Sequence, residues 1–236
     1  MKKTSRNELL QLLNDERKCI NLDLSGMDLS SMNFIHCKFE NVDFSRTLIN
    51  KSDFRNSTFS NVNFESIYLD SSKFRDSTFY GSQFNNLNIN LTYFDFTNFS
   101  GCSFKDVHFY DKKLDCEYLS IDRFEDCQMQ NVIFTNGSLS ETLFINCNIK
   151  DTSFENSYMP NSFWNSNLTS VSFINPLIGY KRIVYMKGAI LHDVDLSVIS
   201  EEILDWERGD CWSNDFLGWP GSDPGYNSDP EPWRGE

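Results

Sequence analysis

The chain has 236 residues, 34 acidic against 21 basic, for a formal net charge of −13, and its mean hydropathy is −0.46. A single domain plus end pieces fits this length. An electrostatic grip on nucleic acid, which needs a basic stripe, is disfavoured. No apolar run is long enough to form a spanning helix and no apolar stretch follows the charged start, so neither a membrane span nor a secretory signal is expected.

Residues 5–16 read as a helix. Ser5 and Glu8 form a capping box. Leu9, Leu12 and Leu13 make an apolar stripe suited to closing the open end of a stacked core. A repeat takes over next. From Leu24 to Trp164 every fifth residue is large and apolar, 29 positions without a miss, 17 of them Phe. Two residues before most of these lies a small or β-branched residue, as at Val42, Ser52, Ser57 and Val62. A period of five is neither helical nor that of a plain strand. Two inward positions per five residues, with a turn between units, describe a tube of square cross-section. Four units close one coil. Coils stacked at about 4.8 Å give seven coils a length of roughly 35 Å.

Stacking sets residues four units apart above one another. Three columns are then mostly Phe, for example Phe44, Phe64, Phe84, Phe104, Phe124 and Phe144. The fourth, Leu29, Ile49, Leu69, Ile89, Phe109, Met129 and Ile149, is mostly aliphatic. Cys37, Cys102, Cys127 and Cys147 fall on the small inward position, and Cys127 and Cys147 should be stacked neighbours. They read as buried free thiols; the absence of a secretion signal suits a reducing compartment.

The small position fails at Lys112, Glu117 and Asp122, so 111–123 is expected to form a distorted coil face or bulging loop, with Lys112, Lys113 and Glu117 as a candidate recognition feature. After Trp164 the register slips by one, to Leu168 and Phe173. Ile174–Arg182, with Pro176 and Gly179, breaks the repeat. It returns at Val184, Ala189 and Val194, as a final partial coil. Ser200–Arg208 reads as a short capping helix. The segment 210–236 is acidic and rich in Pro and Gly, and it holds Trp212, Trp219 and Trp233, candidates either for folding back on the tube or for docking a partner.

The units Val42-Asp43-Phe44, Ser52-Asp53-Phe54 and Val62-Asn63-Phe64 resemble those of the pentapeptide-repeat family over about 22–173. Ser, Thr, Val and Cys replace the family's usual Ala, and Phe dominates over Leu. The resemblance implies an all-β solenoid: a right-handed quadrilateral β-helix, here of about 7–8 coils, with a short N-terminal capping helix and an irregular tail. The domains expected are 1–20 (cap), 21–173 (β-helix), 174–209 (inserted loop, final partial coil and short helix) and 210–236 (acidic tail).

No catalytic constellation is visible. His36, His108 and His192 lack matched partners, there is no phosphate loop or zinc motif, and no cofactor or metal is expected. Two non-catalytic readings remain. The first is a protein-interaction scaffold with an unknown protein partner, cytoplasmic, or a bacterial effector delivered into host cells by a specialised secretion system. The second follows from the resemblance: some family members bind type II topoisomerases by imitating duplex DNA and confer resistance to gyrase inhibitors. One coil face gathers Asp23, Asp43, Glu65, Asp106, Asp122, Glu125 and Asp126, and is the candidate interaction surface on either reading. Duplex of 35 Å would carry about 20 charges; residues 21–173 carry 19 acidic and 11 basic residues, a net −8.

Overall fold

Each five-residue unit forms one side of a square coil. A computed structural model describes residues 1–90, 92–110, 121–178 and 183–207, and in it the chain is a right-handed quadrilateral β-helix of about nine turns. The first wall is a ten-stranded parallel sheet running from Lys18–Ile20 through Lys38–Glu40, Thr58–Ser60 and Thr78–Tyr80 to Val184–Tyr185 and Leu204–Asp205. The second wall carries Asn63–Glu65, Asn148–Lys150 and Asn167–Thr169. Three longer strands, Gln83–Asn90, Ser103–Tyr110 and Gln128–Thr135, run around the corner and join the second wall to the third. The fourth wall is held by bridges such as Asn33↔Asp53↔Lys73↔Tyr93. The stack exceeds the expected 7–8 coils because strands beyond residue 173 continue the same walls.

The corners explain the polar residues of the repeat. The residue two after most of the large ones has positive φ: Asn41 +51°, Lys51 +60°, Asn56 +57°, Asn61 +54°. Asn and Asp tolerate this left-handed region better than other L-residues. Asn41 also donates to Asn21 at 3.0 Å and Asn61 to Asn41 at 3.3 Å, forming a ladder along one edge. Gly81 (φ +55°) ends that ladder, since a Cβ there would lie 2.8 Å from Asn61 Oδ1.

Inside, rings stack between coils and meet edge-on within a coil. Phe34 and Phe54 are 4.6 Å apart at 8°, whereas Phe34 and Phe39 are 5.7 Å apart at 64°. Both arrangements suit the aromatic quadrupole, and each buried ring contributes about 2–3 kcal/mol. The small inward residues bond the coil before them: Ser57 Oγ donates to the Phe34 carbonyl (2.7 Å) and Ser77 Oγ to that of Phe54 (2.7 Å). Cys37, Cys102, Cys127 and Cys147 are buried free thiols. Cys127 and Cys147 do adjoin; the pKa of Cys147 is raised first by its hydrogen bond with Cys127 and then by burial.

The N-terminal helix, Arg6–Asp15, has the capping box from Ser5 to Glu8, and buries Leu9 and Leu13 against the first coil. Ahead of it, Lys2–Lys3 pairs with Leu22–Asp23. At the other end the expected capping helix is only a 3₁₀ turn, Glu201–Ile203, because Leu204–Asp205 is drawn into the first wall.

Two registers differ from expectation. Phe104 pairs with Phe84, four units back, but with Met129, five units on. One extra unit therefore lies between Tyr110 and Phe124. Thr97 pairs with Ile121 and Asn98 with Arg123, so Asp122 is the bulged residue and Ile121 fills the inward position. Below the insertion the columns move by one wall: Phe124 stacks under Phe99 at 5.1 Å, and the aliphatic column Leu29–Ile49–Leu69–Ile89 continues as Phe109–Phe134–Phe154. The second correction is at Phe163, which stacks on Phe144 one position short of four full units. Phe163 is fully buried and Trp164 points outward, so the slip precedes Trp164 and does not follow it.

Candidate interaction surface

In several units the Asp or Asn just before the large residue does local work. Its carboxylate or amide accepts from the backbone N–H two residues later, at 2.9 Å for Asp23 and Ser25, and 2.8 Å for Asp43 and Ser45. Such turns are a reason for Asp and Asn just before the large residue. The bonds from the Ser25 hydroxyl and N–H hold the Asp23 carboxyl below its ordinary pKa, helped by Lys3.

The shifted register divides the seven candidate acids. Asp23, Asp43 and Glu65 share the second wall, and Asp106 lies at its corner with the third. Asp126 lies on the edge between first and second walls, with Glu125 beside it on the first. Asp122 is on the opposite edge of the first wall, so it does not join the others. Desolvation raises its pKa most; Arg123 opposes this, and the charges of Asp76 and Glu141 add to it. Most of the others are engaged: Asp23 with Lys3 at 3.3 Å, Asp43 with Asn63 at 3.0 Å, Asp106 with Asn131 at 2.8 Å, Asp126 with Asn146 at 3.2 Å and Glu125 with Arg123 at 3.5 Å. Lys112, Lys113, Glu117, Trp212, Trp219 and Trp233 lie outside the described residues.

The concave features are shallow. One groove of about 260 Å³ runs along the corner of the second and third walls, past Asn86, Asp106, His108 and Asn131. His108 Nε2 is 3.0 Å from Thr135 Oγ1. A second, of about 330 Å³, lies between Ser170–Phe173 and Asp193–Asp195. Among the described residues no cluster of three His, Cys, Asp or Glu side chains could hold a metal ion, and no helix is long and apolar enough to cross a membrane.

Sequence reasoning missed an apolar feature on the outside. Leu143 and Ile145 flank Phe144 and point out of the first wall, above Ser162 and Trp164. The signal was present: Leu-Phe-Ile puts large apolar residues in all three central places of one unit, where others carry polar neighbours. A smaller feature is Phe96, which takes a corner with φ +55° and has Arg75 over its ring at 5.2 Å.

The family described as pentapeptide repeats matches in eight copies, over 18–50, 37–76 and 123–159. Over these residues the chain carries pentapeptide repeats. Solved pentapeptide-repeat structures resemble it weakly. One is HetL from the cyanobacterium Nostoc, involved in regulating heterocyst differentiation: 13% identical, covering 82% of this chain and 93% of that one, TM-score 0.35. Another is a trypsin-treated form of QnrB1, a plasmid-mediated fluoroquinolone resistance protein: 13% identical, 80% and 92% covered, TM-score 0.49. No curated protein matches the chain. The pentapeptide repeat accounts for the coil and leaves its outer surface as the part particular to this chain.

Proposed function

We propose that this protein is a non-catalytic scaffold that binds a protein partner along the outer walls of its coil. The observation that carries this reading is the filled tube. Its inward positions hold stacked rings, aliphatic side chains and bonded hydroxyls or thiols, so recognition falls to flat walls with a fixed spacing. The partner-facing strip is the second wall with its two edges, where Asp23, Asp43, Glu65, Asp106 and Asp126 present oxygen atoms, extended by Glu125 beside Asp126 on the first wall. Bonds along the turns and ladders hold many of these groups in place, which lowers the entropy cost of using them in an interface.

Imitation of duplex DNA needs a continuous anionic strip, and the charge layout favours it less. Asp122 falls on the far edge, while Lys3, Lys105 and Lys150 share the second wall. The test uses the full chain as bait in its native cells, beside the double variant Glu65→Lys, Glu125→Lys. A partner captured by the first and reduced at least tenfold with the second supports the strip. Equal capture by both removes it. Inhibition of gyrase supercoiling by the purified protein would replace the scaffold reading with duplex imitation.

A further inference from the structure

We propose that the slot at the foot of the third wall, between Val171–Phe173 and Asp193–Asp195, takes up an extended basic peptide as an added β-strand. This goes beyond the scaffold reading and uses none of the residues of the acidic strip. The third wall ends at the strand Ser172–Ile174, which pairs with Ser153–Glu155 above it and with no strand below it among the described residues. In the coils above, the large inward residue of this wall donates its N–H downward, Leu29 to the Leu48 carbonyl and Ile49 to the Tyr68 carbonyl, both at 2.7 Å. The residue two before it accepts from the coil below, as Thr152 does from the Ser172 N–H at 3.0 Å. One coil further on, the Phe173 N–H and the Val171 carbonyl have no backbone partner among the described residues. The cause is local. The Ser170 N–H still reaches the His192 carbonyl at 2.9 Å, but the chain then leaves the ladder. Asp195 accepts from the Ser197 N–H at 2.8 Å, the Ile199 N–H bonds the Leu196 carbonyl at 2.9 Å, and Val194 and Leu196 pack against the core. A groove of about 330 Å³ opens where the next rung is missing.

The head of the tube is closed by contrast. There Arg17 donates to the Ile35 carbonyl at 2.7 Å and to the Asn33 carbonyl at 3.3 Å, Arg6 donates to that of Asp28, and the Thr4 N–H to that of Asp23 at 3.1 Å. Side chains and a short strand stand in for the absent coil, which is how an edge is kept from recruiting other strands. The lower edge of the third wall carries no such plug among the described residues. The lining of the slot gives the partner its chemistry. Phe173 and Val198 supply apolar surface, Val198 with 52% exposure, while Asp193 and Asp195 bring two carboxylates and no basic side chain lies among them. Successive side chains of a strand point to opposite faces. A peptide that alternates apolar and cationic residues therefore meets the apolar side and the carboxylates together. Main-chain bonds to Phe173 and Val171 supply affinity, and the carboxylates select the sign of the charge.

The experiment titrates the full-length protein into a fluorescently labelled peptide of alternating lysine and valine and follows its anisotropy. Saturable binding is expected, with none to the matching peptide of alternating glutamate and valine. Two further peptides of unchanged charge are N-methylated, one at every valine and one at every lysine. At least one of them should bind about tenfold more weakly, because methylation removes the N–H groups along one edge of the strand. The double variant Asp193→Asn, Asp195→Asn, which keeps the acceptor for the Ser197 N–H, should also lose about tenfold with an unchanged unfolding midpoint. So should Val198→Lys, at an exposed position. No saturable binding, equal binding of both methylated peptides, or unchanged affinity in the Asp193 and Asp195 variant would each overturn the assignment. Loss of peptide binding in the Glu65→Lys, Glu125→Lys variant would place the peptide on the acidic strip and overturn it as well. Failure of that variant to lose its captured partner removes the strip and leaves the slot standing, so the two readings fail separately.

Discussion

Ile121, and not Asp122, stands in register with Thr97, while Arg123 is in register with Asn98. The bulge pushes a carboxylate out of the tube where the beat of five would have buried it. Bulges recur where a strand edge must re-aim a side chain, and here the consequence is a sound core. Ile121→Ala should cost about 2–5 kcal/mol in chemical denaturation, as for other buried large-to-small changes. Asp122→Ala should stay within about 0.5 kcal/mol. Reversal of that order would place Asp122 inward and remove the bulge.

Phe163 and Trp164 offer the same contrast. Phe163 stacks on Phe144 at 5.2 Å and meets Phe154 edge-on at 5.9 Å, whereas Trp164 is only half-buried. Phe163→Ala should therefore cost about 3–5 kcal/mol. Trp164→Ala should lose clearly less, and urea titrations of the two variants side by side decide it.

Much of this tube was legible because its cause is local. A large residue every five positions, from Leu24 onward, leaves one way to bury them all, and Ser5 with Glu8 announces the helix that closes the end. What escaped is informative in physical terms. The insertion before Phe124 is one whole unit long, so the beat passes through it with Leu114 and Leu119 still in phase, and periodicity cannot count coils. Stacking alone shows it: the inward thiol of Cys127 bonds the Phe99 carbonyl 28 residues back, where Cys147 bonds Phe124 only 23 back. That offset of five carries Asp122, Glu125 and Asp126 from the second wall to the first. The acidic surface was misassembled for this reason alone. At Trp164 the difficulty is chemical: Phe163 and Trp164 are both large and apolar, and only the fit to Phe144 selects between them.

The buried hydroxyl of Ser57 donates to the Phe34 carbonyl and accepts from the Cys37 N–H at 3.0 Å. It ties two coils together inside the tube. Ser57→Ala removes both bonds and should lower stability by about 1 kcal/mol. Ser57→Cys, which copies the situation at Cys147, should fall between wild type and Ala. A Cys variant less stable than the Ala variant would show that volume, not bonding, governs this position.

The cap has a pH signature of its own. Glu8 has its pKa lowered from 4.5 to about 2, first by the hydrogen bond from Lys2, 2.8 Å away, and then by the N–H and hydroxyl of Ser5. A carboxyl with a depressed folded-state pKa binds its proton more readily in the unfolded chain. Its stabilisation is therefore complete above the unfolded value and fades as pH falls from about 4.5 towards about 2. Comparing Glu8→Gln with wild type in thermal unfolding, the gap should be constant from pH 7 to pH 5, narrow below pH 4.5 and close near pH 2. A gap that persists unchanged to pH 2 would mean that the capping box acts through shape and hydrogen bonding, with no contribution from charge.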